Sequence, residues 1–270
     1  AELAGDAAPT SAPPLVSAAA APSGKSCGLA PRFDVAPQLR YEFMSQGGQE
    51  AFLEANVFSA QKNGVYLDIG CNDGIDGSNT WHFAKHKGWH GFCIEADPVK
   101  FSQITPNSGR TDGVNIAVTN REGLLDFERV YDPNGGLSGL PSKMFDSTRA
   151  AHFVEHLIQV NATTPNRLLQ RFYSRERTID YVSLDVEGSE LDVMGAWPFD
   201  QWCVQAFTIE NNFWCNEASI LPELKRLLEP RGFQHKSTIW VDEVFVREPR
   251  CRSTTVNTTG ASVEEMQPVK

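Results

Sequence analysis

A glycine-rich turn occupies residues 68–74, which read Asp-Ile-Gly-Cys-Asn-Asp-Gly and end a short apolar run. Glycine adopts backbone torsion angles that a side chain would forbid, so Gly70 and Gly74 let the chain turn sharply and let a ligand approach the main chain. The dinucleotide-binding fingerprint requires another glycine two places after the first, but Asn72 stands there. The spacing therefore disfavours a nicotinamide cofactor.

Acidic residues surround this turn. Glu95 ends the next predicted strand, where a carboxylate can accept hydrogen bonds from both hydroxyls of a ribose. Asp68 and Asp73 suit the ammonium and sulfonium groups of S-adenosylmethionine, whereas they would repel a pyrophosphate. A purely structural interpretation is available, since a strand-turn-helix needs a glycine and Asp or Asn often caps a helix. Glu95 favours the cofactor interpretation.

A second group of polar residues follows two later predicted strands. Asp185 and Glu187 come directly after one strand, and Glu210 and Asn211 close the next. The carboxyl ends of parallel strands meet at one rim of a sheet, which is where ligands bind. Asp185, Glu210 and Asn211 could present oxygen ligands to one hard cation such as Mg²⁺, which would acidify a substrate hydroxyl.

The general base remains open between three residues. Asp185, Glu187 and His235 are all candidates for accepting a proton from a substrate hydroxyl. Lone histidines are more often structural than catalytic. Glu187 and Glu190 could also simply occupy the first turn of a helix, where the helix dipole favours acidic side chains.

These residues need a framework of parallel strands to bring them together. Short apolar runs alternate with helical patterns along the chain, which predicts right-handed crossovers and a parallel sheet. The predicted strands are 65–69, 91–95, 114–118, 180–184 and 204–209, and the predicted helices between or after them are 79–87, 98–104, 189–194 and 219–228.

Two regions depart from this alternation. The last two predicted strands, 234–240 and 243–247, are separated by only two residues, which predicts an antiparallel hairpin at the sheet edge. The segment 124–166 is irregular, with a glycine-rich turn at 134–136 and a helix-like stretch at 149–159. We expect this segment to lie over the edge of the sheet.

Composition sets the expected domain boundaries. Residues 1–40 are rich in Ala, Pro and Ser, and we expect a flexible arm there, followed by one domain over 41–250 and a flexible tail over 251–270. The domain begins with a helical cap at 41–58, interrupted by two glycines.

Net charge and the cysteine positions limit which partners and which cellular compartment are expected. The formal net charge of −10 disfavours nucleic acid as a partner, and the sequence has no apolar run long enough to span a bilayer. Cys71, Cys93 and Cys203 lie in or beside apolar runs and favour buried free thiols, whereas Cys27 and Cys251 flank the domain and could form a bridge. Together with two glycosylation acceptor patterns, this favours a secretory-pathway, Golgi-like lumen weakly over the cytoplasm.

Several motifs in a fixed order resemble the FkbM family of methyltransferases over roughly residues 41–248. The motifs that carry the resemblance read SQGGQE at 45–50, YLDIGCNDG at 66–74, SNT at 78–80, GWHGFCIE at 88–95, LSGL at 137–140, LDVEGSE at 184–190 and DEVFVR at 242–247. The resemblance implies a class I methyltransferase, Rossmann-like α/β fold with a seven-stranded, mostly parallel sheet, an antiparallel C-terminal hairpin and helices on both faces. It also implies S-adenosylmethionine as the methyl donor and transfer mainly to hydroxyl groups.

The predicted site follows from the motifs and the resemblance together. The expected cofactor contacts are Asp68, Gly70, Asn72, Asp73, Gly74, Ser78, Asn79, Glu95 and Ala117. We expect O-methylation of a hydroxyl on a sugar, a glycan or another small polar acceptor, with Trp81, Trp89, Trp214 and Trp240 as candidate stacking surfaces. The alternative is a catalytically degenerate module that uses the methyltransferase fold for protein binding or trafficking. The intact cofactor residues disfavour that alternative.

Overall fold

A computed structural model describes residues 30–36, 42–59, 61–131, 137–141, 153–173 and 177–251. Most of the predicted arm and tail lie outside these residues, as does the predicted glycine-rich turn at 134–136. Within the described ranges the structure has six α-helices, a short π-helix at Glu54–Phe58 and a 3₁₀-helix at Glu229–Arg231. The helices are α1 (Gln49–Leu53), α2 (Trp81–His86), α3 (Pro98–Ser108), α4 (Pro165–Phe172), α5 (Glu190–Gly195) and α6 (Leu221–Leu228).

Ten strands form two sheets. They are β1 (Val65–Ile69), β2 (His90–Glu95), β3 (Gly113–Asn115), β4 (Ala117–Val118), β5 (Gly123–Tyr131), β6 (Phe153–Thr163), β7 (Thr178–Leu184), β8 (Cys203–Glu210), β9 (Phe233–Ile239) and β10 (Asp242–Arg247). The larger sheet has seven strands in the order β3-β2-β1-β7-β8-β10-β9, and the smaller one has three in the order β4-β6-β5.

The seven-stranded sheet confirms the predicted fold class. Strands β3, β2, β1, β7 and β8 pair in parallel, and β10 runs antiparallel between β8 and β9. The central strands β7 and β8 are buried along nearly their whole length, as expected for a parallel sheet covered on both faces. The strand order reverses between β1 and β7, so the carboxyl ends of these two strands open onto a crevice.

Local sequence signals set the bounds of α3. The Asp97 side chain accepts hydrogen bonds from the backbone amides of Val99 and Lys100, and Pro98 supplies the preset torsion angle of a first helical residue. Gly109 ends the helix in a left-handed conformation. This helix connects β2 to β3 and places residues just after Gly109 beneath the glycine-rich turn.

The irregular middle segment folds differently from its predicted elements. The helix expected at 149–159 is wrong, because residues from 153 onward form β6 and pair antiparallel with β5. Phe127, Val160 and Ala162 are buried in the same small core, and this cross-strand burial outweighs the local helical pattern. The strand expected at 114–118 is split at Ile116, so that its two halves join different sheets. Helix α4, which no motif predicted, follows β6.

Disulfides replace the free thiols expected from the sequence. Cys71 bonds to Cys93, joining the glycine-rich turn to β2, and Cys203 bonds to Cys251, joining the start of β8 to the chain that follows β10. Cys251 therefore does not pair with Cys27, which lies outside the described residues. No helix in the described ranges is both long and apolar enough to cross a membrane.

Candidate active site

A cavity of about 440 Å³ opens at the carboxyl ends of β1, β2, β7 and β8. The glycine-rich turn, the ends of β2 and β7, and the start of β10 all contribute to its wall. One end is apolar and the other is lined by carboxylates. The cavity lies at the point where the strand order reverses, which is the usual ligand site in open α/β sheets.

Gly70 makes the turn possible and lets the turn after β1 approach the turn after β7. Its φ is 89°, and a β-carbon at this position would overlap the backbone carbonyl oxygen of Asp185. Asn72 also adopts a left-handed conformation, with φ 51°. The turn after β1 therefore packs directly against the turn after β7.

A buried arginine holds the glycine-rich turn from below. The Arg110 guanidinium donates hydrogen bonds to Thr80 Oγ1 at 2.7 Å, to Ser78 Oγ at 3.0 Å and to the Gly74 carbonyl, and lies 3.4 Å from Asp68 Oδ2. Thr80 Oγ1 also donates to Asp68 Oδ2 at 2.5 Å. Burial raises the pKa of Asp68, and the positive charge of Arg110 opposes that rise. Asp68 lines the cavity, but one of its oxygens is occupied by this network.

Glu95 is fixed by two backbone amides at the middle of the cavity. Its Oε2 accepts from the Asn72 amide and its Oε1 from the Asp97 amide, each at 2.8 Å. The Asn115 side chain donates to the Glu95 carbonyl at 2.7 Å, which ties β3 to the same point. Burial raises the pKa of Glu95 to about 7. The carboxylate is thus held in one orientation against the turn.

The apolar end of the cavity lies beside Glu95. Ile116, Ala117, Phe127 and Leu140 line it, and three of these four belong to the core between the small sheet and the end of β2. The predicted contact Ala117 is therefore on the cavity wall. A flat apolar group such as a purine base fits this environment chemically.

Three carboxylates meet at the opposite end of the cavity. One oxygen each from Asp185, Glu187 and Glu210 lies within 4.8 Å of the others. Burial, followed by the charges of neighbouring carboxylates, raises the pKa values of Asp185 and Glu210 well above their ordinary range. Asp242 lies beside them at the start of β10, accepts hydrogen bonds from Gln49 and Asn79, and has a pKa raised by burial to about 6.

Most of the residues predicted from the sequence line this cavity. These are Asp68, Gly70, Asn72, Ser78, Asn79, Glu95, Ala117, Asp185, Glu187 and Glu210. Of the four tryptophans considered, Trp240 is on the cavity wall, where Arg32 covers its ring at 4.1 Å.

Two predicted cofactor contacts do not line the cavity. Asp73 Oδ1 accepts from the backbone amides of Ile75 and Asp76, so its side chain stabilises the turn itself. Gly74 packs towards Ser108 of α3, where an added β-carbon would lie 2.9 Å from the hydroxyl oxygen. Both residues shape the glycine-rich turn from its far side.

The predicted ligand Asn211 and the candidate base His235 also lie away from the cavity. The Asn211 side chain donates to Ser219 and Glu243 and accepts from the Ile220 amide, so it connects β8 to the start of α6. His235 Nε2 is bonded to Glu243 Oε2 at 2.7 Å. Each of these side chains is hydrogen-bonded to Glu243 and does not line the cavity. Both predictions are therefore corrected.

Three site residues were missed by sequence reasoning. Arg110 follows α3 and carries no motif, whereas Gln49 belongs to the SQGGQE motif at 45–50 but was not assigned to the site. Asp242 carried a usable signal, because β10 runs antiparallel and its first residue must therefore lie at the rim where β8 ends.

Comparisons with known proteins identify the family of this chain. Residues 68–234 match the family described as Methyltransferase FkbM domain. The 2-O-methyltransferase NoeI of Sinorhizobium fredii (strain NBRC 101917 / NGR234) is 28% identical over 142 residues, which are 48% of this chain and 56% of that protein.

Solved structures are similar at lower identity. Methyltransferase FkbM from Methylobacillus flagellatus KT has a TM-score of 0.44 and 11% identity, covering 78% of this chain and 50% of that chain. Aeropyrum pernix fibrillarin in complex with natively bound S-adenosyl-L-methionine has a TM-score of 0.40 and 9% identity, covering 76% of this chain and 74% of that chain. The chain spans about half the length of NoeI and of the Methylobacillus protein.

Proposed function

The chain belongs to the FkbM methyltransferase family, and on this premise we propose that it uses S-adenosylmethionine to methylate a hydroxyl of a sugar, a glycan or another small polar acceptor. One observation carries the proposal: a single cavity joins an apolar end, the oriented Glu95 carboxylate, the glycine-rich turn and a cluster of carboxylates. The order of these features matches the order of adenine, ribose and methionine in the cofactor.

The cavity residues fit this cofactor. Asn72 Oδ1 and Asn79 Oδ1 are buried and accept no hydrogen bond from the described residues, so both are available to the ammonium group of the methionine portion. Glu95 can accept hydrogen bonds from the ribose hydroxyls while its amide contacts hold it in place. When bound, the cofactor supplies an electrophilic methyl group.

The carboxylates supply the remaining chemistry. In methyl transfer the acceptor oxygen attacks the methyl carbon opposite the sulfur, so catalysis depends on holding the two in line and removing the hydroxyl proton. Asp185 and Glu187 line the cavity and can accept that proton. The acidic wall also binds the positively charged sulfonium more tightly than the neutral thioether product, which favours replacement of spent cofactor by fresh cofactor.

A polar acceptor is favoured by the side chains at the acidic end. Gln46, Gln49 and Asn212 bring amide groups to the cavity wall beside Trp240. Amides and an aromatic ring are the groups that bind sugar hydroxyls and sugar faces. The name of NoeI, a 2-O-methyltransferase, supports transfer to oxygen.

Ligand binding followed by turnover tests the proposal. We expect S-adenosylmethionine and S-adenosylhomocysteine to raise the melting temperature of the full chain, and NAD to leave it unchanged, because only a ligand of the native state stabilises it. Incubation with labelled S-adenosylmethionine and a panel of sugars should then yield a methylated hydroxyl. If neither methionine derivative bound, the degenerate binding module would be the better description.

We also propose that the enzyme works in an oxidising lumen of the secretory pathway. The proposal is supported by the Cys71–Cys93 and Cys203–Cys251 disulfides, which persist in oxidising compartments and are rare in the cytosol. Alkylation of the cellular protein before and after reduction measures the free thiols. Fully alkylated cysteines without reductant would contradict this location.

A further inference from the structure

The carboxylate cluster at the acidic end has the geometry of a cation site. Asp185 lies just after β7, Glu187 two residues later, and Glu210 at the end of β8. Oxygens bound to one Mg²⁺ or Ca²⁺ at about 2.0 to 2.6 Å are at most about twice that distance apart. The three carboxylate oxygens lie within 4.8 Å of one another, which is inside the limit of about 5.2 Å for Ca²⁺ and above the limit of about 4.2 Å for Mg²⁺. A small rotation of one side chain brings the set within reach of the smaller ion.

An unpartnered atom within the cluster points independently to a ligand. Glu210 is only 6% exposed, and its Oε2 accepts no hydrogen bond from any residue in the described ranges. A buried carboxylate oxygen without a partner is destabilising, so native structures nearly always provide one. Because Glu210 lines the cavity, the missing partner can enter from there.

Two arginines near the cavity are paired with carboxylates outside the cluster. Arg110 is paired with Asp68, and Arg129 with Asp97, at 3.4 and 3.1 Å respectively. Repulsion among three carboxylates this close together is strong in a partly buried site while all of them are ionised. A bound divalent ion relieves that repulsion.

We propose that Asp185, Glu187 and Glu210 bind one hard divalent cation, Mg²⁺ or Mn²⁺, at the acceptor end of the cavity. Glu187 takes the place predicted for Asn211, whose side chain faces Ser219 and Glu243 instead. The remaining coordination positions face the cavity and are open to water or to an oxygen of the acceptor.

The role of the ion in catalysis rests on the proposed methyltransferase function. Coordination of the acceptor hydroxyl lowers its pKa, and the proton passes to a cavity carboxylate or to water. The oxygen then attacks the methyl carbon, so that the carbon–oxygen bond forms while the carbon–sulfur bond breaks. The products are the methyl ether, S-adenosylhomocysteine and one proton, and no oxidant or reductant is required.

Manganese titration of the metal-free full chain tests the site directly. Electron paramagnetic resonance of free Mn²⁺ should show one bound ion per chain with a dissociation constant below about 1 mM. Glu210→Gln and Asp185→Asn should each weaken binding by about tenfold or more, because the charge and number of ligands set the affinity. Asp76→Asn removes one charge from the exposed rim of the same cavity and should leave the affinity within about twofold of wild type.

The outcomes separate the metal site from the methyltransferase function. Absence of Mn²⁺ binding by the wild-type protein at about 1 mM would overturn the proposal, as would equal affinities across wild type and all three variants, or an equal loss in Asp76→Asn. Circular dichroism and the affinity for S-adenosylhomocysteine, which lacks the sulfonium charge, are both measured in EDTA and report whether each variant is folded. Glu210→Gln is the decisive variant, because it keeps the side-chain volume. Cofactor binding without Mn²⁺ binding refutes the metal site alone, whereas Mn²⁺ binding without cofactor binding refutes the methyltransferase proposal.

Discussion

The Arg110 guanidinium lies 3.4 Å from Asp68 Oδ2, and both side chains are more than nine-tenths buried. The ion pair connects Asp68, the first residue of the glycine-rich turn, to Arg110, which directly follows the C-terminal cap Gly109 of α3. Arg110 also bonds to the Gly74 carbonyl at the other end of the turn. The shape of the cofactor loop therefore depends on a side chain that does not touch the cavity.

Arg110→Met should destabilise the fold by about 3 to 5 kcal/mol, because it leaves the buried Asp68 carboxylate without its counter-charge. Urea denaturation measures the change in the free energy of unfolding. Arg167→Met, on the exposed face of α4, is the matched control and should change stability by less than about 0.5 kcal/mol.

A double-mutant cycle measures the interaction energy between Arg110 and Asp68. Asp68→Asn combined with Arg110→Met should destabilise by clearly less than the sum of the single changes, since neither charge is then left alone. Additive effects would mean that the pair does not interact in solution.

Glu95→Ala should weaken S-adenosylmethionine binding about 5- to 150-fold, which corresponds to about 1 to 3 kcal/mol for hydrogen bonds to a charged group. Isothermal titration calorimetry gives the dissociation constants. The exposed Glu122 provides a control, and Glu122→Ala should bind as the wild type does. Unchanged affinity in Glu95→Ala would remove Glu95 from the ribose site.

Comparing Gly70→Ala with Gly109→Ala distinguishes the cost of steric overlap from the cost of an unfavourable backbone torsion angle. Both glycines have positive φ, but an added β-carbon overlaps the Asp185 carbonyl at position 70 and meets nothing within 4 Å at position 109. Gly109→Ala should destabilise by about 1 to 2 kcal/mol, the penalty for a left-handed residue. Gly70→Ala should lower the free energy of unfolding by more than about 4 kcal/mol, as measured by thermal or urea denaturation. Equal losses would contradict the close packing of the two turns.

Asp242→Asn should stabilise the ligand-free protein at pH 7.5 by about 1 to 3 kcal/mol. Burial raises the pKa of Asp242 from an ordinary 3.8 to about 6, so the folded state holds this proton more tightly than the unfolded state does. The carboxylate is therefore increasingly unfavourable as the pH rises through this interval, and the difference between variant and wild type should vanish near pH 4.

Denaturation at a series of pH values between 4 and 7.5 measures this dependence. Asparagine can still accept the hydrogen bonds from Gln49 and Asn79. Asp126→Asn, on the exposed face of β5, should give a stability difference that does not grow with pH. A variant at position 242 that was less stable than wild type at pH 7.5 would show that the carboxylate is needed for its charge.

The regular part of the fold could be predicted because its signals are local. Strand β1 is observed at the residues predicted, and α3 begins at its predicted first residue because Asp97 and Pro98 define a helix start. The pairing of β5 with β6 joins residues as far apart as Gly123 and Ala162. No local pattern specifies such a partner, and the helical pattern around 149–159 was therefore misleading.

The residues of the candidate site also include some that local sequence signals predict and some that depend on non-local contacts. Glu95 was predictable because it ends a strand whose direction was known, and Asp185 because it directly follows one. The side chains of Asn211 and His235 depend instead on which face of the sheet each occupies, and the register of β9 shifts at a bulge beside Val244 and Phe245. Arg110 reaches Asp68 across 42 residues of chain, a contact that composition and spacing do not encode.

The position of β10 between β8 and β9 also sets the order in which the molecule can be completed during synthesis. Strand β9 leaves the ribosome before β10, yet its neighbour in the sheet is β10, so it joins the sheet together with β10 or after it. Asp242, the last cavity residue to be translated, arrives with that strand. A nascent chain that ends before residue 242 therefore exposes the unpaired edge of β8, and the emerging chain acquires its complete cavity only when β10 has been inserted.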